Sequence, residues 1–394
     1  MKMHRNVIIL GLVSLFTDVS SEMLYPLIPL YVTTVLGASP AILGVIEGVA
    51  ESLASLLKLF SGRVADRFAR RKPLAILGYG LSAAAKVFFI VATTWTGILW
   101  GRVSDRFGKG IRTAPRDALI ADASSADSRG KAFGLHRAMD TAGAVLGIGL
   151  AYWLFTSYNG DYQIVFLVAL APAFFGAALL FLVKEEGRSA AQKAKELAFS
   201  WGSLAPQLKY FLVISFLFNL GNSSNQFLLV RAGTLGFSAA EVILLYLLMN
   251  ISYFLLAYPA GALSDRLGRR RLLVSGYLLY GLVYLGFAVA ESSWPVIGLF
   301  VVYGLYIGLT EGVEKALLAD MAVEGQKATV YGLHALLVGV ALLPASILAG
   351  LLWELFGVAA PFYFGGCLGL LAAVALWVAL RGEEKRNGIE QESR

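Results

Sequence analysis

Long apolar runs separated by short polar loops dominate the pattern of the chain. Six runs predict membrane-spanning helices at 6–32, 41–61, 73–93, 95–122, 130–155 and 163–183. Six more follow at 209–231, 239–263, 272–290, 294–320, 328–353 and 360–380, and these spans are numbered one to twelve in chain order. A membrane β-barrel would instead show alternating segments of about ten residues. The pattern therefore predicts an all-α polytopic membrane protein.

One charged stretch, 184–208, interrupts the series between spans six and seven. It divides the chain into a six-helix bundle at 1–183, a linker at 184–208, a second six-helix bundle at 209–380 and a tail at 381–394. Cations concentrate in the loops after spans two and eight, in the linker and in both termini. Because cytoplasmic loops carry the excess of Lys and Arg, the linker, the tail and both termini are predicted to be cytoplasmic.

Composition agrees with this assignment and narrows the classes of partner. The 394 residues are 58% hydrophobic and 15% charged, with a mean hydropathy of +0.70, whereas soluble domains carry about 25% charged residues. The net charge of +7 lies mostly in loops, so it sets orientation and does not indicate nucleic acid. The single cysteine, Cys367, excludes an intramolecular disulfide and a multi-cysteine metal cluster.

The two halves of the chain repeat each other in register. "GRVADRFARRKPL" at 62–74 matches "GALSDRLGRRRLL" at 261–273, an offset of 199 residues. "ALIAD" at 118–122 matches "ALLAD" at 316–320, and "FGLH" at 133–136 matches "YGLH" at 331–334, both at an offset of 198. Two related six-helix halves are a transporter architecture.

The first of these matches resembles the signature of the major facilitator superfamily, G-x-x-x-D-R-x-G-R-R/K. The motif residues, which the resemblance implies act in gating, are Gly62, Asp66, Arg67, Arg70 and Arg71 in the first half and Gly261, Asp265, Arg266, Arg269 and Arg270 in the second. Ala69 replaces the second glycine in the first copy, and Gly268 supplies it in the second. Glycines in span five (Gly143, Gly147 and Gly149) resemble part of the drug/proton antiporter pattern and are expected to allow close packing.

The resemblance covers essentially the whole chain and implies a twelve-helix permease of the prokaryotic type. In this family spans one, four, seven and ten line a central cavity that opens to alternate sides. The resemblance further implies a monomer in the inner or plasma membrane, with no cofactor, that uses the proton gradient as its energy source.

Span four carries an unusual stripe of cations. Arg102, Arg106, Lys109, Arg112 and Arg116 recur every three or four residues, so they share one helical face. Because charges facing lipid are costly, we expect this face to meet the aqueous pathway and to bind substrate. An alternative for Arg112 and Arg116 is closure of an inner gate against Glu311 and Glu314 of span ten.

Four carboxylates in the first half are candidates for proton coupling: Asp18, Glu22, Glu47 and Glu51. A carboxylate in a partly dry cavity next to cations can take and release a proton as the cavity alternates. An equally weighted alternative is that Glu47, Glu51 and Lys86 form a buried network that fixes helix register.

The second half offers mainly neutral groups in the corresponding places. Its candidate substrate-binding residues are Asn219, Asn222 and Asn225 in span seven and Glu311 and Glu314 in span ten. Small polar residues also pack membrane helices together, so span seven has a structural alternative.

These features predict a proton-coupled secondary transporter that moves a small anionic or zwitterionic solute by alternating access, with export slightly favoured. The alternatives are a proton-driven multidrug efflux pump, an importer of an organic anion or metal chelate, and a non-transporting membrane receptor. The chain has no HExxH, GxSxG or P-loop motif, so an enzyme is not predicted.

Overall fold

A computed structural model describes residues 5–67, 71–124, 129–185, 202, 204–322 and 327–379. The described residues group into two compact units. The first belongs to Met1–Glu196 and Ser224–Leu247, and the second to Leu197–Ser223 and Leu248–Arg394. The segment from Ser224 to Leu247 thus packs with the first unit, although the sequence repeat assigns it to the second half.

The helices of the first half follow the predicted spans closely. Span one is Arg5–Leu24, continued after a short turn by Ile28–Leu30 and a π-helical turn at Tyr31–Val35. Spans two to six are Pro40–Arg67, Lys72–Val91, Trp95–Asp122, Arg129–Ser157 and Tyr162–Leu179, the last extended by a 3₁₀ turn at Leu180–Leu182.

The second half repeats this series with one difference, in span seven. That span consists of two helices, Pro206–Gly221 and Gln226–Thr234, and the prediction of one continuous helix over 209–231 is wrong. Spans eight to twelve are Ala239–Leu267, Arg269–Val289, Ser293–Met321, Lys327–Phe356 and Ala360–Ala379.

Ten helical segments among the described residues are long and apolar enough to cross a membrane. The two other predicted spans, four and seven, are not among these ten, each for a local reason. Span four has the length, at 28 residues, but carries the cationic stripe, and span seven is interrupted at 222–225. Large apolar side chains are widely exposed, including Val91, Leu371 and Trp294 at 64%, 63% and 84%. Exposure of this kind suits a surface covered by lipid.

Glycines bring neighbouring helices into backbone contact. A Cβ on Gly143 or Gly147 of span five would overlap the backbone of span one, at Leu15 or Val19. Gly108 of span four similarly approaches the backbone oxygen of Gly78 in span three. Gly149 has no described atom within 4 Å of such a Cβ, so the expectation of close packing holds for two of the three span-five glycines.

Candidate functional site

Two cations of the span-four stripe are neutralised by span two. Arg102 makes a bidentate ion pair with Glu47, with its Nε and Nη2 donating to the two carboxylate oxygens at 2.7 and 2.6 Å. Arg106 Nε lies 2.9 Å from Glu51 Oε1, and Glu51 also lies 3.5 Å from Arg102. Glu47 is fully buried and Arg102 is 3% exposed. This ladder holds spans two and four in one register, because breaking either pair would strand a buried charge.

The other three cations of the stripe have different surroundings. Arg112 is buried, and its guanidinium lies 4.2 Å from the centre of the Tyr79 ring, a cation–π contact with span three. Arg116 pairs at 2.8 Å with its neighbour Asp117. Lys109 is half-buried, and its backbone oxygen accepts a hydrogen bond from Thr113. Three cations of the stripe are therefore paired with a carboxylate, whereas the described contacts of Lys109 and Arg112 include none.

Two carboxyl groups meet between spans one and five. The carboxyl groups of Asp18 and Asp140 lie close enough to interact. Ser14 Oγ donates to Asp140 Oδ1, and Arg137 Nη1 lies 3.4 Å from Asp140 Oδ2. Two ionised carboxylates this close repel each other, and a proton on one of them lets it donate a hydrogen bond to the other. The contact therefore favours a state in which one of the two groups is protonated.

Glu22 lies one turn further along span one. Its Oε2 accepts a hydrogen bond of 2.8 Å from the hydroxyl of Tyr246, and the Tyr246 ring stacks on Tyr25 with centroids 5.2 Å apart. Tyr246 belongs to the segment that packs with the first unit. The hydrogen bond of the proton-coupling candidate Glu22 is thus donated by a residue from the second half of the sequence.

A pocket lies between spans one, three and four. Its lining residues are Ser21, Glu22, Leu24, Tyr25, Ile28, Lys86, Phe89, Arg102, Asp105 and Arg106. Lys86 Nζ donates to Ser21 Oγ at 3.1 Å and lies 3.8 Å from Asp105 Oδ1. Both Lys86 and Asp105 are buried. We call this the span-four pocket.

A second polar cluster occurs in the other unit, around Glu314 of span ten. Its Oε1 lies 3.0 Å from Ser215 Oγ, 3.1 Å from His334 Nε2 and 3.3 Å from the Tyr277 hydroxyl. Ser215 and His334 are also 3.0 Å apart. Sequence reasoning placed Glu314 among the candidates but did not connect it with His334, because the repeat gives no sign that spans seven, nine and eleven converge there.

The remaining candidates of spans seven and ten have separate surroundings. Asn219 donates to the backbone oxygen of Ser215, one turn earlier, at 2.8 Å. Asn222 follows the end of the first helix of span seven, and Asn225 precedes the second. Glu311 accepts from Tyr253 at 2.6 Å and pairs with Lys315 at 3.1 Å. Their roles in substrate binding stay predictions.

The two copies of the gating motif form comparable ion pairs at the ends of spans four and ten. Arg71 pairs with Asp122 at 2.6 Å. In the second copy Arg269 contacts both Asp265, at 3.2 Å, and Asp320. Asp122 and Asp320 are equivalent in the repeat.

Other motif residues make fewer described contacts. Arg270 donates to the backbone oxygen of Trp377, Arg266 is exposed, and Gly261 lies within span eight. Gly62, Asp66 and Arg67 lie in the last turns of span two, and Arg70 lies outside the described residues. Within the described ranges no group of three or more His, Cys, Asp or Glu side chains is placed to hold a metal ion.

Comparison with known proteins agrees with this architecture. The family model of the Major Facilitator Superfamily matches residues 10–231 and again 210–394. The MFS-type transporter MJ1317 of Methanocaldococcus jannaschii, itself uncharacterised, is 36% identical over 385 residues, 95% of both chains. The multidrug resistance protein MdtH of Photorhabdus laumondii is 32% identical over 143 residues, 36% of this chain and 34% of that protein.

A solved structure shows the same fold at low sequence identity. The nucleoside transporter NupG, in a mutant form, superposes with a TM-score of 0.79 at 13% identity, covering 95% of this chain and all of that one. The fold and the matched helices define a multi-pass membrane transporter. The chain belongs to the Major Facilitator Superfamily.

The sequence analysis does not include Asp140 among the proton-coupling candidates. Asp140 lies on span five, outside the set of spans expected to line the cavity, so nothing in its position distinguished it. Its spacing from the span-five glycines was the available signal: Asp140 is one turn before Gly143, which packs against span one.

Proposed function

We propose that this protein is a proton-coupled secondary transporter that moves a small anionic or zwitterionic solute by alternating access, with export the favoured direction. It is proposed to act as a monomer in the inner or plasma membrane, with both termini cytoplasmic and no cofactor. Membership of the superfamily supports transport itself, and the arrangement of charges in the first unit supports the rest.

The close approach of the Asp18 and Asp140 carboxyl groups carries the proposal of proton coupling. Two like charges this close repel each other, so the pair favours a state in which the two groups share one proton. If spans one and five separate during the cycle, two solvated carboxyl groups at neutral pH would release that proton. Formation and rupture of the contact would then couple proton movement to the conformational change.

Glu22 is the second candidate, because its carboxylate accepts from Tyr246 and lines the span-four pocket. Glu47 and Glu51 are less suited to this role, since each is held by an arginine. We propose instead that Glu47 and Glu51 fix the register of span two against span four.

The proposed substrate charge follows from the cations of span four. Lys109 and Arg112 are the proposed partners of an anionic group, because their described contacts do not include a carboxylate within 4 Å. A purely cationic solute would meet the same charges as repulsion. The partial similarity to MdtH keeps multidrug efflux as a second candidate.

Proteoliposomes that contain a pH-sensitive dye test the proposal. The solutes are L-leucine and L-tyrosine, their carboxylate analogues isocaproate and desaminotyrosine, and their amine analogues isoamylamine and tyramine. We expect proton movement with anionic or zwitterionic members in the wild type, and its loss in Asp18→Asn and Asp140→Asn. Asp161→Asn is the matched control, because Asp161 only caps the start of span six.

Proton movement that is retained in both Asp18→Asn and Asp140→Asn would overturn the assignment of proton coupling to this pair. Proton movement triggered only by tyramine and isoamylamine would favour the efflux of cationic drugs. Solute entry with no proton movement would indicate facilitated transport and contradict the proposal.

A further inference from the structure

A histidine and a carboxylate of the second unit belong to one hydrogen-bonded cluster. His334 Nε2 lies 3.1 Å from Glu314 Oε1 and 3.0 Å from Ser215 Oγ. The hydroxyls of Ser215 and Tyr277 donate to the same Glu314 oxygen, at 3.0 and 3.3 Å. Among the residues that the structure describes, His334 is the only basic side chain with a nitrogen within 4 Å of a Glu314 oxygen. A neutralising charge for Glu314 can therefore come from His334.

The contacts of the ring decide which nitrogen is open to an incoming proton. Nε2 faces a carboxylate oxygen, so in the neutral ring it carries the hydrogen and donates to Glu314. Nδ1 is then the unprotonated nitrogen, and it makes no hydrogen bond to a described residue. The side chains of His334 and Glu314 are 15% and 19% exposed, so the pair is not sealed from water. A proton from solvent can bind at Nδ1.

A proton on Nδ1 would create an imidazolium directly beside the Glu314 carboxylate. Opposite charges at this distance stabilise each other, whereas a lone charge at a largely buried position would be costly. Histidine is also the side chain whose ordinary change of charge falls between pH 5 and 8. Phe211 stacks on the His334 ring, with centroids 6.2 Å apart and planes 17° apart, and so fixes its orientation. The cluster is thus arranged for one ring that gains and loses a charge.

The other charged groups of this part of span ten are engaged with each other. Glu311 pairs with Lys315 at 3.1 Å and accepts from the hydroxyl of Tyr253 in span eight at 2.6 Å. The remaining titratable groups that face Glu314 are Tyr277 of span nine and Tyr306 of span ten. Tyrosine hydroxyls are uncharged between pH 5 and 8, so in this range the change of charge belongs to the His334–Glu314 pair.

The repeat places an equivalent histidine in the first unit. The offset of 198 residues relates three positions of the cluster to the first half: Tyr277 to Tyr79, Glu314 to Arg116 and His334 to His136. The glycine before each tyrosine supports this alignment. A Cβ added to Gly276 would meet Thr310, and a Cβ added to Gly78 would meet Arg112, which is again 198 residues earlier.

His136 has the opposite electrostatic setting. Arg116 stands in the place of Glu314, and among the charges around His136 it acts most strongly on the ring. His136 is 5% exposed, and its Nε2 is buried without a hydrogen-bond partner among the described residues. A proton on this ring would add a second positive charge beside an arginine. Only the second unit therefore offers this histidine a carboxylate at hydrogen-bond distance.

We propose that His334 and Glu314 form a second proton site, in which Nδ1 of His334 takes up the proton and the Glu314 carboxylate neutralises the imidazolium. The site goes beyond the proposed function, which places the coupled proton between Asp18 and Asp140 of the first unit. The protein then binds protons in both units, through different chemical groups.

Ring ¹⁵N chemical shifts of the purified full-length protein, labelled at histidine, test this site without a solute or a pH gradient. The chain has three histidines, His4, His136 and His334, and His136→Gln and His334→Gln assign the two that lie in helices. We expect the His334 ring to be an imidazolium at pH 5 and neutral at pH 8, and the His136 ring to be neutral at both. A His334 ring with the same charge at both pH values would overturn the proposal. An equal change of charge at His136 would also overturn it, because no carboxylate occupies the place of Glu314 there.

Glu314→Gln removes the neutralising charge and keeps the shape of the side chain. At pH 6 the ratio of charged to neutral His334 should fall by about tenfold or more in this variant. Glu354→Gln is the matched control, because Glu354 lies on the same helix, about 30 Å beyond His334, and it should leave the ratio unchanged. Equal ratios in wild type and Glu314→Gln would contradict the assignment. If Glu314→Gln does not fold, the comparison of His334 with His136 in the wild type decides.

The outcome is separable from that of the proposed function. Asp18→Asn and Asp140→Asn should keep the change of charge at His334, because both substitutions lie in the first unit. A change of charge at His334 in a protein without solute-triggered proton movement would leave this site in place and contradict coupled transport. Coupled transport by a protein whose His334 ring keeps one charge would remove the second site alone.

Discussion

The close approach of the carboxyl groups of Asp18 and Asp140 distinguishes the first unit at the scale of single residues. The sequence indicates Asp18 as a candidate for proton coupling but not Asp140, and their pairing depends on the close approach of spans one and five. Arg102 and Glu47 show the opposite case, since both charges are satisfied within the protein. We thus propose two roles for buried charges in the first unit: Asp18 and Asp140 share a proton, and Arg102 and Glu47 hold helices together.

Removing one member of the Arg102–Glu47 pair should destabilise the protein strongly. Arg102→Met leaves Glu47 fully buried without its cation, at a cost of about 3–5 kcal/mol. Thermal unfolding in detergent measures the change. The double variant Arg102→Met/Glu47→Met should recover much of the loss, because no buried charge is then stranded. An Arg102→Met protein as stable as the wild type would show that the pair contributes nothing.

Gly268 in the second gating motif has a backbone conformation that side chains disfavour. Its φ is +92°, so Gly268→Ala should lower the stability of the protein by roughly 1–3 kcal/mol. Gly261→Ala, in the same motif, is the control, because Gly261 has an ordinary φ and no atom within 4 Å of an added Cβ. Equal Tm values for the two variants would contradict this prediction.

At the scale of elements, span four and span seven depart most from ordinary membrane helices. The bounds predicted for span four, 95–122, agree with the helix Trp95–Asp122, because its ends are marked by polar turns. The charges of span four are buried against partners on spans two and three, and a single sequence does not show which residues these partners are. The break in span seven, at 222–225, was missed because its Asn and Ser residues interrupt an apolar run without a proline.

Close packing of spans one and five should be sensitive to glycine replacement. Gly147→Leu places side-chain atoms against the backbone of Val19, and overpacking of this kind costs about 1–3 kcal/mol. It should also impair proton coupling, since it separates the helices that carry Asp18 and Asp140.

Gly149→Leu provides the comparison, because no described atom lies within 4 Å of a Cβ there. Unfolding temperature and dye-monitored proton movement should both fall in Gly147→Leu and stay near wild type in Gly149→Leu. The same loss in both variants would mean that helix contact is not the cause.

At the scale of the whole molecule, the repeat predicts two equivalent halves, yet their polar groups are used differently. The first unit concentrates ion pairs and the Asp18–Asp140 contact, whereas the second gathers Ser215, Tyr277 and His334 around Glu314. The superfamily and the helical spans other than span seven could be predicted from apolar runs and duplicated motifs. The pairing of individual charges could not, because helical periodicity gives the face of a residue but not its neighbour.

Solute-triggered proton movement in proteoliposomes, compared between wild type, Asp18→Asn, Asp140→Asn and Asp161→Asn, tests the coupling mechanism most directly. We predict a pH change inside the vesicles when L-leucine or L-tyrosine is added to wild type or Asp161→Asn. We predict no pH change with Asp18→Asn or Asp140→Asn. An undiminished pH change in Asp18→Asn and Asp140→Asn would contradict the proposal that this carboxyl pair carries the coupled proton.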